Sequence, residues 1–161
     1  MIKFSVIIAL APNRNAEVLD SLKNVDYDKG KVEIIIKKGL NPSENRNKGV
    51  KEAKGEILAF IDDDAIVDKD IFKNADGFFS LHKEIDLVGG PQLTPESDGF
   101  FAKTSGLVLE SYFGTSNMSC RYKECIENID ADETSITSAN CFILRKSFFK
   151  TSGFNPALFP G

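Results

Sequence analysis

Apolar residues fall along the chain in four short runs rich in β-branched and aromatic side chains: FSVIIAL (4–10), KVEIIIK (31–37), EILAFI (56–61) and IDLVGG (85–90). Between them lie stretches with helical spacing. Glu17 to Asn24 carries Val18, Leu19 and Leu22 on one stripe, Pro42 to Lys54 precedes the third run, and Ile71 to His82 follows it. Strands that are apolar throughout and alternate with helices predict an α/β fold, a mostly parallel sheet flanked by helices on both faces. Beyond Gly90 the pattern changes. Phe100 to Phe113 reads as an amphipathic helix with Phe100, Phe101, Leu107 and Val108 as its apolar members, interrupted by Lys103 and Glu110. Thr115 to Ser135 is polar and loop-like, a candidate mobile segment. SANCFILRKSFF (138–149) predicts a short strand and the start of a helix, and FNPALFPG closes the chain on turn residues. No internal repeat, low-complexity tract or linker interrupts the sequence, so a single domain is expected over residues 1–161.

Composition narrows the function classes. With 161 residues, 42% of them hydrophobic, the chain is long enough for a core of its own. The balance of 20 basic against 24 acidic residues, with both signs interspersed, speaks against a nucleic-acid binder. Cys120, Cys125 and Cys141 form no CxxC pair and the single His82 is far from them, so no zinc site is expected. Reduced thiols in a cytoplasmic protein fit better. No apolar run is long enough to cross a bilayer. The opening MIKFSVIIALAP imitates a short signal peptide, but one lysine and a brief apolar run are better explained by a buried first strand. Gly89-Gly90-Pro91 reads as a turn rather than a phosphate cradle, lacking the Lys-Ser/Thr of a P-loop. His82, at a helix end, is expected to be exposed and without a role. Phe78, Phe79, Phe100 and Phe101 read as core or subunit contacts rather than as a cofactor box.

One stretch carries chemistry. Asp62, Asp63 and Asp64 follow the third apolar run directly. In open parallel α/β sheets, ligands bind beyond the carboxyl ends of the strands. Three adjacent carboxylates repel one another, so they need a cation or open water. If the backbone stays extended, Asp62 and Asp64 point one way and Asp63 the other. That gives a D-x-D pair suited to a hard cation, and Mg²⁺ takes one or two protein carboxylates and fills its shell from water and substrate phosphate. Helix capping is a weaker explanation, because Asp68 is better placed for that task. Arg46 falls on the inward stripe of the preceding helix with Val50 and Ala53. A lone inward guanidinium needs an anion, either a carboxylate such as Asp63 or a phosphate.

The chain here resembles the family 2 glycosyltransferases, which have a GT-A fold. The resemblance is carried by FSVIIAL, by NPSENRNKGVKEAKGEILAFIDDDAIV, by LVGG and by SANCFILRKSFFKTSGFNPALFPG, and it covers nearly the whole chain. The middle block is the specific part, with Arg46-Asn47, Gly49, Ala53, Gly55-Glu56, Phe60 and the three aspartates in one register. The resemblance implies a nucleoside-diphosphate-sugar donor, a saccharide or lipid-linked acceptor, and inverting transfer assisted by Mg²⁺ or Mn²⁺ as a Lewis acid. It implies that residues 1–90 form the nucleotide-sugar-binding half and 91–161 part of the acceptor side. Ala9 to Ala11 would line the base and Lys37 would sit near the base or ribose. Arg46 would lie by the nucleotide, and Asp63 by the ribose or sugar. Asp64 would bind the metal with Asp62 in support. Gly89, Gly90 and Asn140 would border the acceptor. Lipid-linked acceptors would bring the helix from Phe100 to the inner face of a membrane, although its basic content is low.

The sequence departs from the family in three places. Lys37-Lys38 stands where members carry an acid that reads the base. Ala-Leu-Ala-Pro replaces the common Pro-Thr-Tyr-Asn. The family's Glu-Asp pair, whose Asp is the general base, follows the F-P-G segment, and this chain stops at Gly161, so a fragment without its catalytic base is expected. Asp130, Asp132 and Glu133 are poor substitutes in a polar stretch. Three alternatives remain at the level of sequence. A nucleotidyltransferase would show a Gly-rich, basic first loop where this chain has APNRN. A receiver-like domain would need acids after the first strand. The same domain could bind donor without turnover.

Overall fold

A computed structural model describes residues 1–158. The closing Phe159-Pro160-Gly161, and with them the F-P-G segment, lie outside the described residues. The described residues form five strands: β1 (Phe4–Leu10), β2 (Val32–Lys38), β3 (Ile57–Ile61), β4 (Leu87–Gly89) and β5 (Asn140–Leu144). Six helices accompany them: α1 (Val18–Leu22), α2 (Pro42–Glu52), α3 (Ile71–Leu81), α4 (Phe100–Glu110), α5 (Tyr112–Thr115) and α6 (Arg145–Phe148). The sheet order is β2-β1-β3-β5-β4. β2 and β3 flank β1 in parallel, with Ile7 opposite both Ile35 and Phe60. β5 runs the other way. Its neighbours are reached by Leu144 N–H to Asp86 O and Gly90 N–H to Asn140 O on one side, and by Arg145 N–H to Glu56 O on the other. The sheet is therefore mixed rather than uniformly parallel.

The chain divides into two compact units, one of residues 1–87 and 142–161, the other of residues 88–141. The first holds the apolar core. β1 and β3 are central and almost wholly buried, as their unbroken apolar runs require. On one face Phe4 packs at 5.0 Å from Phe72 of α3 and 5.4 Å from Tyr27. On the other face Phe60 packs at 5.7 Å from Phe148 and 4.9 Å from Phe154. β2 is an edge strand, and Ile34 and Ile36 are exposed on it, so that strand is not covered on both faces as its composition suggests.

α2 lies close on the second face. Asn41 caps it by accepting Glu44 N–H at 3.1 Å, and Pro42 opens its first turn. A Cβ on Gly49 would stand 2.6 Å from Ile7 Cγ2, so the bare glycine sets the distance between helix and sheet. Below it, Ser5 Oγ donates to Glu33 at 2.6 Å and accepts Gly55 N–H at 2.8 Å, fastening the turn after α2 to β1 and β2.

In the second unit, α4 ends at Glu110, earlier than its pattern suggests. Only Gly106 of that helix is buried, while Phe100, Phe101, Leu107 and Val108 are exposed, so no core stripe forms there. Residues 116–121, inside the stretch read as loop, form a 3₁₀ turn. No helix among the described residues is long and apolar enough to cross a membrane.

Candidate active site

The carboxylates stand where β3 ends. The chain turns at once after Ile61, with Ala65 N–H bonded to Asp62 O at 3.3 Å. Strand alternation therefore persists through Asp62 and Asp63 and stops before Asp64. Asp62 continues the face of Phe60, towards α2, and receives Arg46 Nη2 at 3.1 Å. Arg46 thus meets Asp62, not Asp63. Its side chain is only 13% exposed, and its guanidinium lies 5.5 Å from the centre of the Phe154 ring.

Asp63 points to the opposite face and is 5% exposed. Its backbone carbonyl accepts the first amide of α1, Val18 N–H, at 3.0 Å. Arg14, in the loop after β1, binds both remaining carboxylates: Nε is 3.3 Å from Asp63 Oδ2 and Nη2 is 2.7 Å from Asp64 Oδ2. The alternation rule expects Asp64 to side with Asp62. Because of the turn, it shares a cation with Asp63 instead.

Burial pushes the Asp63 carboxyl above the usual carboxylate range. Arg14 opposes this and Asp64 adds to it. A raised folded-state value means that this group favours the fold while protonated, a contribution lost as pH rises through that value. Asp63→Asn is accordingly expected to gain stability relative to the parent at pH 7, and the gain is expected to shrink towards pH 4. Paired melting curves at the two pH values check this.

Ala9 lies opposite Lys37 in the β1–β2 register, and Ala11 opens the turn that carries Arg14, through Arg14 N–H to Ala11 O. Lys37 is held by Glu52 of α2 at 2.5 Å. In the second unit, Gly89, Gly90 and Asn140 do come together. Gly90 N–H bonds Asn140 O at 3.1 Å and Asn140 Nδ2 donates to Pro91 O at 3.1 Å. A Cβ on Gly90 would meet Asn140 Nδ2 at 2.7 Å, and Asn140 Oδ1 is buried without a hydrogen-bond partner. Two expectations about nearby residues need correction. Asp68 does not cap α3, which has Asp70 at its N-cap; its carboxylate instead accepts Asp70 N–H at 2.8 Å in a local turn. His82 is partly buried rather than exposed, 4.6 Å from the Phe78 ring.

Sequence reasoning missed three contributors. Arg14 is one; its only signal was a basic residue directly after the first strand. Asn47 and Phe154 are the others. Asn47 Nδ2 donates to Phe154 O at 2.7 Å and its Oδ1 accepts Phe154 N–H at 3.0 Å, tying the C-terminal segment to α2 beside Arg46. Gly153 precedes it at φ 72°, and a Cβ there would stand 2.7 Å from Asn47 Oδ1. Asn47→Ala is expected to cost about 2 kcal/mol, the value of two partly buried hydrogen bonds, read as a lowered melting temperature.

The oxygen-only donor set suits a hard divalent cation. The Asp64 side chain is 54% exposed, and Asp63 Oδ2 is buried without a hydrogen-bond donor. Among the described residues, no three His, Cys, Asp or Glu are grouped to hold a metal. A cation here would use one or two carboxylates and complete its shell elsewhere, which is the habit of Mg²⁺.

Comparison with known proteins agrees with this architecture. Residues 11–153 match the model of glycosyl transferase family 2, and the chain belongs to that family. The family is one of sugar-transferring enzymes, so the nucleotidyltransferase and receiver-like alternatives fall away. No curated protein matches the sequence. Among solved structures, Staphylococcus aureus TarS 1-349 is 22% identical over 61% of this chain and 38% of its own, with a TM-score of 0.53. It has also been solved with UDP and with UDP-GlcNAc. Mannosyltransferase PcManGT from Pyrobaculum calidifontis, in complex with GDP-Man and Mn²⁺, is 14% identical over 96% of this chain and 48% of its own, with a TM-score of 0.56. A197 from STIV is 16% identical over 94% and 69%, with a TM-score of 0.52. The likeness to these structures is one of fold, and this chain matches well under two thirds of the length of TarS 1-349.

Proposed function

We propose that the chain binds a nucleoside-diphosphate-sugar together with Mg²⁺ or Mn²⁺ and serves inverting transfer of the sugar to a hydroxyl of a saccharide or lipid-linked acceptor. The observation that carries this reading is the group of carboxylates at the end of β3, in which the buried Asp63 oxygen has no hydrogen-bond donor. A site that keeps a carboxylate oxygen out of water and without a hydrogen bond is built to receive positive charge. The metal-bound and nucleotide-sugar-bound states of structurally similar glycosyltransferases support it further.

In this reading Asp64 binds the metal, with Asp62 in support. Asp63 faces the ribose or sugar, and Arg46 lies by the nucleotide. The bound metal supplies Lewis-acid stabilisation of the departing diphosphate. Ala9, Ala11 and Lys37 border the base, while Gly89, Gly90 and Asn140 border the acceptor. We place the protein in the cytoplasm, at the inner membrane face if the acceptor is lipid-linked.

A thermal-shift screen of UDP, GDP, CDP and dTDP, each with and without Mn²⁺, tests the reading. A ligand at a hundredfold excess over its Kd stabilises the fold by about 2.7 kcal/mol. A shift for one nucleotide, seen only with metal, is the expected result. Equal shifts with and without metal would contradict the metal's role.

A further inference from the structure

We propose that Arg14 is a displaceable counter-ion: it holds the carboxylates of Asp63 and Asp64 when no metal is bound and competes with the divalent cation for Asp64. The inference rests on the metal reading of this site given above. Three carboxylates and two guanidiniums meet at the end of β3, and the guanidiniums are held very differently. Arg46 is nearly buried, stacked beside Phe154 and paired with Asp62 from a helix. Arg14 is 49% exposed and sits in a loop; the ion pairs to Asp63 and Asp64 are its side chain's observed polar contacts. One of those is incomplete. Asp63 Oδ2 lies 3.3 Å from Arg14 Nε yet receives no hydrogen bond of proper geometry, and it is shut away from water. A well-fitted structural ion pair would satisfy that oxygen, because a buried acceptor left unmade is costly.

The charges explain why Arg14 must give way. Three carboxylates with two guanidiniums carry one net negative charge. A divalent ion bound at Asp64 beside an undisplaced Arg14 would place two cations on the same carboxylate, and they would repel one another. Asp64, which Arg14 holds at 2.7 Å, also has the most exposed side chain of the three carboxylates. Once released, the guanidinium remains on a short loop next to the metal, where it can meet the diphosphate with charge-assisted hydrogen bonds.

The test is titration of Mn²⁺ alone, followed by the electron paramagnetic resonance signal of free Mn²⁺, on the parent chain and on Arg14→Ala, Arg14→Gln and Asp64→Asn. Both Arg14 variants are expected to bind Mn²⁺ about fivefold more tightly than the parent, the scale of one or two partly exposed ion pairs removed from competition. Asp64→Asn is expected to lose binding. Melting temperatures give a second readout: the rise from chelator to Mn²⁺ is expected to be larger in the Arg14 variants than in the parent. Equal or weaker Mn²⁺ binding by both Arg14 variants would overturn the competition while leaving the metal site standing. Equal binding by parent and Asp64→Asn, or no binding by any chain, would instead overturn the metal reading, and the competition with it.

Discussion

Asp64→Asn is expected to weaken Mn²⁺-dependent nucleotide binding by at least about a hundredfold while leaving the fold intact. Loss of a partner that merely orients a metal ligand costs roughly 10- to 100-fold in affinity, so loss of a direct ligand sets that range as a floor. The side chain is more than half exposed and its observed ion-pair partner is Arg14, an interaction worth about 0–1 kcal/mol at such a surface. The melting temperature in chelator is therefore expected to stay within about 4 °C of the parent. Calorimetry with a nucleoside diphosphate and Mn²⁺, beside a melting curve in chelator, separates the two effects. Unchanged binding would remove Asp64 from the metal.

The largest stability effect is expected at Glu33. Its carboxylate accepts Ser5 Oγ and Lys54 N–H, each at 2.6 Å, and Ser5 is fully buried between β2 and the turn at Gly55. Glu33→Ala strands both donors and is expected to cost about 3 kcal/mol. The pH dependence has a definite sign. Burial works against ionisation of Glu33, but hydrogen bonds from Ser5, Lys54 and Gly55 outweigh it and hold its pKa below the usual value. Its stabilisation is present above the ordinary glutamate range and is lost as pH falls through the depressed value. The difference in melting temperature between the parent and Glu33→Gln should therefore be widest near neutrality and close as pH drops below about 4. A difference that stayed constant with pH would mean that the charge has no part in it.

Much of the first unit was legible from periodicity because its strands are apolar on both faces and its helices begin at readable signals. FSVIIAL is β1 to the residue, and Asn41-Pro42 opens α2 where a cap and a first-turn proline should stand. The misreadings have local causes. β2 begins one residue late because Lys31 closes a 3₁₀ turn. Ile34 and Ile36 looked buried, but the strand is at the sheet's edge, a property of strand order that no single run reveals. The helix from Phe100 has an apolar composition, yet within its own unit it buries only a glycine.

In the site, residue types were easier to read than partners. Alternation placed Asp62 and Asp63 on opposite faces, but it cannot foresee a turn that starts directly after Ile61. It therefore misjudged where Asp64 points, whereas Arg46 meets Asp62, the carboxylate that alternation puts on the face of α2. Asn47 and Phe154 are 107 residues apart, and their paired hydrogen bonds leave no trace in either segment read alone. Arg14 gave the faintest signal of all, one cation in a short loop whose significance appears only when the loop is set against the end of β3.

The central claim is that the carboxylates after β3 receive a metal-bound diphosphate. Anomalous diffraction at the manganese edge, from crystals grown with Mn²⁺ and the nucleoside diphosphate that the screen selects, tests it most directly. The account predicts a manganese peak in direct coordination with the Asp64 carboxylate and with the diphosphate oxygens, and Arg14 drawn away from Asp64. A manganese peak elsewhere, or a nucleotide bound with Asp64 still held by Arg14, would contradict it.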